Sequence, residues 1–243
     1  AATADFTSRM DGVLAGINVA HAVLAEVGLN DVTLAKKDGD RVKAGDVLLT
    51  VRGNTRAILL AERTALNFFG HLSGIATLTS KWVAEVEGTK CQVRDTRKTT
   101  PGMRNIEKYA VRMGGGTNHR LNLSDAALIK DNHIAAAGGV VPAFAQVRAA
   151  YPETEIEIEV DTLEQLKEAL TQKPDLVLLD NMSPEQCAQA VALVNGICKL
   201  EASGGISIAN ARAYAQSGVD YIAIGALTHS APVFDIGLDL RAE

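Results

Sequence analysis

Cysteine is scarce in this chain: Cys91, Cys187 and Cys198 are the three in 243 residues, too few and too scattered for a disulfide framework or a zinc site. A reducing cytoplasm is the natural compartment, with these thiols as core or surface residues. Long apolar runs are missing as well. None reaches the roughly 18 residues that a membrane span needs, and no charged-then-apolar secretory leader opens the chain, so the sequence reads as soluble. Aromatics make up 4% of residues against 47% hydrophobic overall, which leaves Ala, Val, Leu and Gly to build the core and suits α/β packing. Positive charge is in deficit. The 24 Lys and Arg against 29 Asp and Glu leave a net charge of −5, whereas a nucleic-acid binder shows a broad basic surface. Any anionic partner should be small.

The chain is long enough for one large core or two smaller ones. Its opening sixty residues alternate strand-like and turn-like text around a helical pattern, NVAHAVLAEVG. In DGDRVKAGDVLLTVRGNTRAILL the turn signals Asp38-Gly39 and Ala44-Gly45 each precede alternating or continuous aliphatic residues. That text is similar to the hammerhead sheet of biotinyl and lipoyl carrier modules, but it lacks a convincing lysine at a hairpin tip, and a small sheet domain is the better reading. Glu62 to Glu87 spaces Leu66, Phe69, Leu72, Ile75, Trp82 and Val86 as a helix does, with Gly70 and Gly74 interrupting, so a long helix or a kinked pair is expected. From Cys91 on, the short strands CQVRD, AALIKD, EIEIEV, DLVLLD, KLEAS and DYIAIG alternate with helical connectors such as LEQLKEALTQ. These are βα units of a parallel sheet. Strand spacings of roughly 20 to 35 residues, without a leading G-x-G-x-x-G turn, favour a TIM-like α/β barrel, closed, open or incomplete, over a dinucleotide-binding sheet. The expected division is an N-terminal α/β sandwich over 1–62, joined by a C-terminal tail over about 230–243, and a barrel over 63–229.

One basic island stands out against the acidic whole. From Arg94 to Arg120 seven cations face only Asp95 and Glu107, a local balance of +5. Arg104, Lys108 and Arg112, four apart, read as a solvated helix face. The others follow strands or glycines: Arg97 and Lys98 after CQVRD, His119 and Arg120 after three glycines, Lys130 closing AALIK. Cations so placed suggest an anion site. In a barrel the catalytic groups sit at the carboxyl ends of the strands, where Glu159 and Asp180 join these cations. Along EIEIEV, Glu155, Glu157 and Glu159 share one side and Ile156, Ile158 and Val160 the other. Carboxylates turned inward need cations or a metal, and Glu155 or Glu157 could equally be structural ion pairs.

Two late loops carry phosphate-binding text: Ser203, Gly204 and Gly205 directly after KLEAS, and Gly225 and Ala226 after DYIAI. Barrels often hold a phosphate on the loops after their last strands, beside a helix amino terminus. Tight strand-to-helix turns are the plain alternative. Mg²⁺ is held by one or two carboxylates with substrate phosphates, which suits Glu159 and Asp180, and planar arginine forks suit a carboxylate. Together these residues imply a carboxylated small molecule meeting a phosphorylated one, without fixing the chemistry.

The strings DTRKTTPGMR, EKYAV and GGGTNHRLNLSDAALIKDNH, followed by EIEVDTLEQL, LLDNM, EASGGI and GVDYIAIGALTH, resemble the quinolinate phosphoribosyltransferases over about Arg9 to Leu240. The resemblance implies a glycosyltransferase that joins quinolinate to the ribose of phosphoribosyl pyrophosphate. Pyrophosphate and carbon dioxide leave, and nicotinate mononucleotide is made for NAD biosynthesis. It further implies that Arg97, His119 and Arg120 hold the quinolinate carboxylates with help from Lys98 and Lys130, which also reach the phosphates. Glu159 and Asp180 would serve the ribose hydroxyls and Mg²⁺; Ser203, Gly204, Gly205, Gly225 and Ala226 would hold the 5′-phosphate. Arg63, from the ERTALN motif, would enter the partner subunit's site in an obligate dimer or higher oligomer, with no nucleic acid or membrane involved. Against the family pattern, the helical segment that usually precedes the part matching Ala1 is missing, so a truncated or trimmed start is expected. Three rivals remain open at this stage: a Schiff-base aldolase or lyase using Lys98 or Lys130, a non-catalytic binding or carrier protein, and a sister phosphoribosyltransferase with another base specificity.

Overall fold

The structure, a computed structural model, describes residues 1–242. In chain order the elements are β1 (Ala2–Ser8), β2 (Gly12–Val13), α1 (Ile17–Glu26), β3 (Asp31–Leu34), β4 (Arg41–Val42), β5 (Val47–Gly53), α2 (Thr55–Val86), β6 (Gln92–Arg94), α3 (Arg104–Met113) and β7 (Ala127–Ile129). There follow α4 (Asp131–Ala137), α5 (Val140–Ala150), β8 (Ile156–Val160), α6 (Leu163–Leu170), β9 (Leu176–Asp180), α7 (Pro184–Val194), β10 (Lys199–Ser203), α8 (Ile208–Gln216), β11 (Tyr221–Ala223), α9 (Ala226–His229) and β12 (Ile236–Ala242). Two compact units share the chain. The first comprises Ala1–Lys81, Lys98–Gly116 and the chain from Gly225 on; the second comprises Trp82–Arg97 and Thr117–Ile224.

The first unit is built on an antiparallel sheet ordered β12-β1-β5-β3. Its apolar side, with Phe6 and Leu49, buries Leu24 of α1 together with Ile58 and Phe69 of α2 and Phe234 before β12. Gly39 and Gly45 take φ of 90° and 93° at the two expected turns, a left-handed backbone that glycine adopts without a Cβ penalty. The aliphatic run Ala57–Leu60, read from sequence as a continuation of strand text, instead lies in α2. Asn54 is the reason: its Oδ1 accepts from the N–H groups of Arg56 at 2.9 Å and Ala57 at 3.3 Å, capping a helix that starts at Thr55. α2 then runs for 32 residues as one helix. Gly70 and Gly74 do not break it; a Cβ at either would run into the main-chain carbonyls of Phe234 and Pro232. Glycine there admits a close crossing of chain. The expected solvated stripe on α3 is also corrected, because Lys108 is only 1% exposed and lies among the buried Glu107, Ala110 and Val111, while Arg112 alone of the three is exposed.

The second unit carries the six strands anticipated from Cys91 onward, all parallel, in the order β6-β11-β10-β9-β8-β7. Helix starts are written locally. Thr162 caps α6 by accepting from Gln165 N at 3.2 Å, and Ser183 with Pro184 opens α7 through a reciprocal bond with Gln186. The sheet curls: Arg94 on β6 reaches Glu201 on β10 across β11, and Glu201 meets His119 together with Glu157 on β8 across β9. Side chains of alternate strands meeting in one layer are the signature of a TIM-like interior. Thr117 extends the β6 edge by a parallel bridge to Arg94, while β7 forms the opposite edge of an open barrel.

Candidate active site

Within the second unit the segment Thr117–Arg120 is tied down at the carboxyl end of β6. Asp95, fully buried, accepts from His119 N at 2.8 Å and from the Asn118 amide. Thr117 N donates to Val93 O at 2.8 Å, which holds the start of the same segment. His119, 9% exposed, has both ring nitrogens engaged. Its Nδ1 accepts from Arg120 N at 2.8 Å, and its Nε2 lies 2.8 Å from Glu157 Oε2 and 3.5 Å from Glu201 Oε1. Arg94 completes the layer, with Nη1 2.9 Å from Glu201 Oε2 and its guanidinium 4.1 Å above the Tyr221 ring. Glu155, by contrast, is exposed and precedes β8, so the alternation that suggested three inward carboxylates delivers two.

Arg97, Arg120 and Lys130 line one cavity of about 950 Å³, walled on its apolar side by Leu128, Ile129 and Tyr151. Arg120 Nη1 donates to Ala126 O at 2.9 Å. Burial first, and then the charge of Arg97, hold the Arg120 guanidinium below its ordinary pKa. Two half-buried cations that repel each other leave a place suited to a dianion. Lys130 Nζ stands 2.9 Å from Glu159 Oε2, joining the ends of β7 and β8. Asp180 closes β9 opposite Ser203 of β10 and accepts from Asn181 Nδ2 at 2.7 Å. Gly204 and Gly205 follow at φ 84° and 65°, and Asn181 packs so closely on Gly204 that a Cβ would strike its side-chain oxygen. This loop therefore offers bare backbone.

The first unit holds the remaining expected residues. Gly225 opens the short α9 containing Ala226, and the Lys98 side chain lies against Gly225. Thr228 Oγ1 donates to Lys98 O at 2.7 Å. Glu107, wholly buried, accepts from Thr100 N at 3.0 Å and pairs with His71 Nε2 at 2.8 Å, so α3 fastens the segment after Lys98. Arg63 projects from α2 with its side chain 75% exposed. The three thiols are free, and burial raises Cys91 to about 12 and Cys187 and Cys198 each to about 11, far from a nucleophile's range.

Two family models divide the chain between them: the N-terminal domain of quinolinate phosphoribosyl transferase matches residues 1–73, and its C-terminal domain matches residues 75–239. The chain belongs to the quinolinate phosphoribosyltransferase family. It is 53% identical to the nicotinate-nucleotide pyrophosphorylase [carboxylating] of Mycobacterium leprae over 98% of this chain and 86% of that protein. It is 41% identical to the probable enzyme of the same name from Bacillus subtilis, over 98% and 83%. The crystal structure of nicotinate-nucleotide pyrophosphorylase from Ehrlichia chaffeensis superposes with a TM-score of 0.96 at 41% identity, covering 99% of this chain and 88% of that one. Within this quinolinate phosphoribosyltransferase framework, Arg94, Asp95 and Glu201 are the residues that sequence reasoning passed over. A signal existed for Glu201, because Lys199, Glu201 and Ser203 alternate along KLEAS as Glu157 and Glu159 do along EIEIEV.

Proposed function

We infer that the chain joins quinolinate to the phosphoribosyl group of phosphoribosyl pyrophosphate, releasing pyrophosphate and carbon dioxide and yielding nicotinate mononucleotide in NAD biosynthesis. The single observation that carries this, beside family membership, is the pair of guanidiniums on one cavity, Arg97 and Arg120, with Arg120 destabilised by burial and by its neighbour until an anion arrives. Quinolinate brings two adjacent carboxylates, and forked donors grip each in two places. Lys130 and Lys98 face the phosphates and the departing pyrophosphate. Positive charge grows on the ribose carbon as pyrophosphate leaves, and preorganised cations aimed at the leaving anion are commonly the largest catalytic contribution. Once the ring nitrogen has bonded to that carbon, the adjacent pyridinium charge stabilises the electron pair left on C2 as the 2-carboxylate departs as carbon dioxide, and a proton taken up at C2 from solvent completes nicotinate mononucleotide. No covalent bond to the protein is needed, and Lys130, already paired with Glu159, is poorly placed as a Schiff-base nucleophile.

Glu159 and Asp180 hold the ribose hydroxyls and Mg²⁺. Their oxygens, at the ends of neighbouring strands, are the hard donors this ion takes beside substrate phosphates. When bound, the ion supplies charge neutralisation for pyrophosphate. The loops Ser203–Gly205 and Gly225–Ala226 take the 5′-phosphate through main-chain N–H groups. Arg63 serves a partner subunit's site in a homodimer, which its exposure on α2 permits. The proposed setting is the cytoplasm; among the described residues no helix is long and apolar enough to cross a membrane. The test is to incubate the protein with Mg²⁺, phosphoribosyl pyrophosphate and quinolinate. Nicotinate mononucleotide and carbon dioxide in equal amounts are expected, and use of nicotinate in place of quinolinate would overturn the reading.

A further inference from the structure

Glu157 and Glu201 lie deeper in the barrel than any group placed on substrate above, 3% and 0% exposed, and each keeps one carboxylate oxygen, Oε1, without a hydrogen bond. Leaving buried acceptors in this state is costly, so a compensating role is called for. A metal ion is a poor occupant of the His119, Glu157 and Glu201 group, although their ligand atoms lie close enough together. The Arg94 guanidinium already neutralises Glu201, and His119 Nδ1 is taken as acceptor of the Arg120 N–H. That last bond fixes the ring's tautomer. With Nδ1 accepting, the ring proton sits on Nε2 and is donated to Glu157 at 2.8 Å. The ring is thus spent at both ends inside the protein, one end on the Glu157 carboxylate with Glu201 Oε1 3.5 Å away, and the other on the main chain of Arg120.

We propose that Glu157 and Glu201 are positioning residues for quinolinate recognition, acting through the His119 ring to fix the main chain that carries the Arg120 fork. His119 then serves the dicarboxylate through Arg120 and not by giving it a ring nitrogen, which departs from the direct contact expected for it. Arg94 anchors the far side of the relay by pinning Glu201, and Asp95 holds His119 N from below. The arrangement matches the way buried acceptors orient a histidine ligand in metal sites, with the Arg120 main-chain N–H standing where the metal would be. The inference rests on the quinolinate reading of the cavity.

Steady-state kinetics of Glu157→Gln and Glu201→Gln test it. The expected result is a rise of roughly 10-fold or more in KM for quinolinate, with KM for phosphoribosyl pyrophosphate and kcat within about twofold of the unaltered protein, as for lost positioning of one substrate. Equal loss toward both substrates, or an unchanged quinolinate KM, overturns it. Because removing a buried carboxylate beside Arg94 endangers folding, nitrogen-15 spectra of the unaltered protein give a second measurement. His119 should show a proton on Nε2 and an accepting Nδ1, both kept when quinolinate is added. A ring that gains a proton or exchanges its Nε2 partner on binding overturns the relay. Failure of the unaltered protein to convert quinolinate would instead sink the underlying reading, and the inference with it.

Discussion

Arg120 is held between two opposed influences, a nearby cation and partial burial that disfavour its charge, and the Ala126 carbonyl that holds the fork in place. Replacing it by Ala should leave a quinolinate carboxylate desolvated and unpaired, at a cost of roughly 2 to 5 kcal/mol in binding by analogy with desolvated ion pairs. Calorimetric titration with quinolinate reads this directly, and near-normal affinity would remove Arg120 from the site. Glu201 gives a prediction in pH. Burial, then the charge of Glu157, raise its carboxyl from an ordinary 4.5 to about 7, with the Arg94 guanidinium opposing. The folded state therefore holds this proton more tightly than the unfolded chain does. Its contribution to stability is complete below the unfolded value and is lost as pH rises through about 7. Denaturant titrations across that window should show stability falling with pH in the unaltered protein and a flatter profile in Glu201→Gln; parallel profiles would contradict the assignment.

At the scale of the element, α2 shows packing overruling propensity. Gly74→Ala would gain about 1 kcal/mol of helix propensity. It would also drive a methyl into the Pro232 carbonyl, which is main chain and cannot swing aside. Overpacking of this kind costs typically 1 to 3 kcal/mol, so the clash wins and thermal unfolding should move several degrees lower. An unchanged or higher Tm would mean that the 232–234 segment yields. Glu107 plays the corresponding part on α3. Glu107→Ala would strand the Thr100 N–H and His71, with a stability loss of about 1 to 3 kcal/mol. Because that segment follows Lys98, the KM for phosphoribosyl pyrophosphate should rise more than that for quinolinate. A uniform loss would mark Glu107 as a fold residue only.

For the whole molecule, the proposed dimer turns on Arg63. The same turns of α2 expose Leu59 at 51% and Leu60 at 73%, apolar surface of the kind that a partner chain covers. If sites are shared, Arg63→Ala and Lys130→Ala proteins are each inactive, yet random mixing builds dimers in which one site is whole. Activity should recover to about a quarter of the unaltered level after subunit exchange, as expected for a twofold assembly. No recovery after confirmed exchange would argue for self-contained sites.

Local text determined much of this protein. The six parallel strands were legible because each is a short aliphatic run bounded by turn or cap residues. The position of Lys130, Glu159 and Asp180 at or just past strand ends was legible because each closes a short aliphatic run, and the motifs from DTRKTTPGMR to GALTH carried the family. The tertiary structure alone decided which like-looking residues are solvated and which are buried. Lys108 shares its spacing with Arg104 and Arg112 yet is enclosed, and Glu155 shares its alternation with Glu157 yet lies outside the strand. It also decided that Arg94, His119, Glu157 and Glu201 form one layer, since residues more than a hundred positions apart meet only when the sheet curls. Periodicity reports which side of an element a residue occupies; what stands opposite is set by how the elements close on one another.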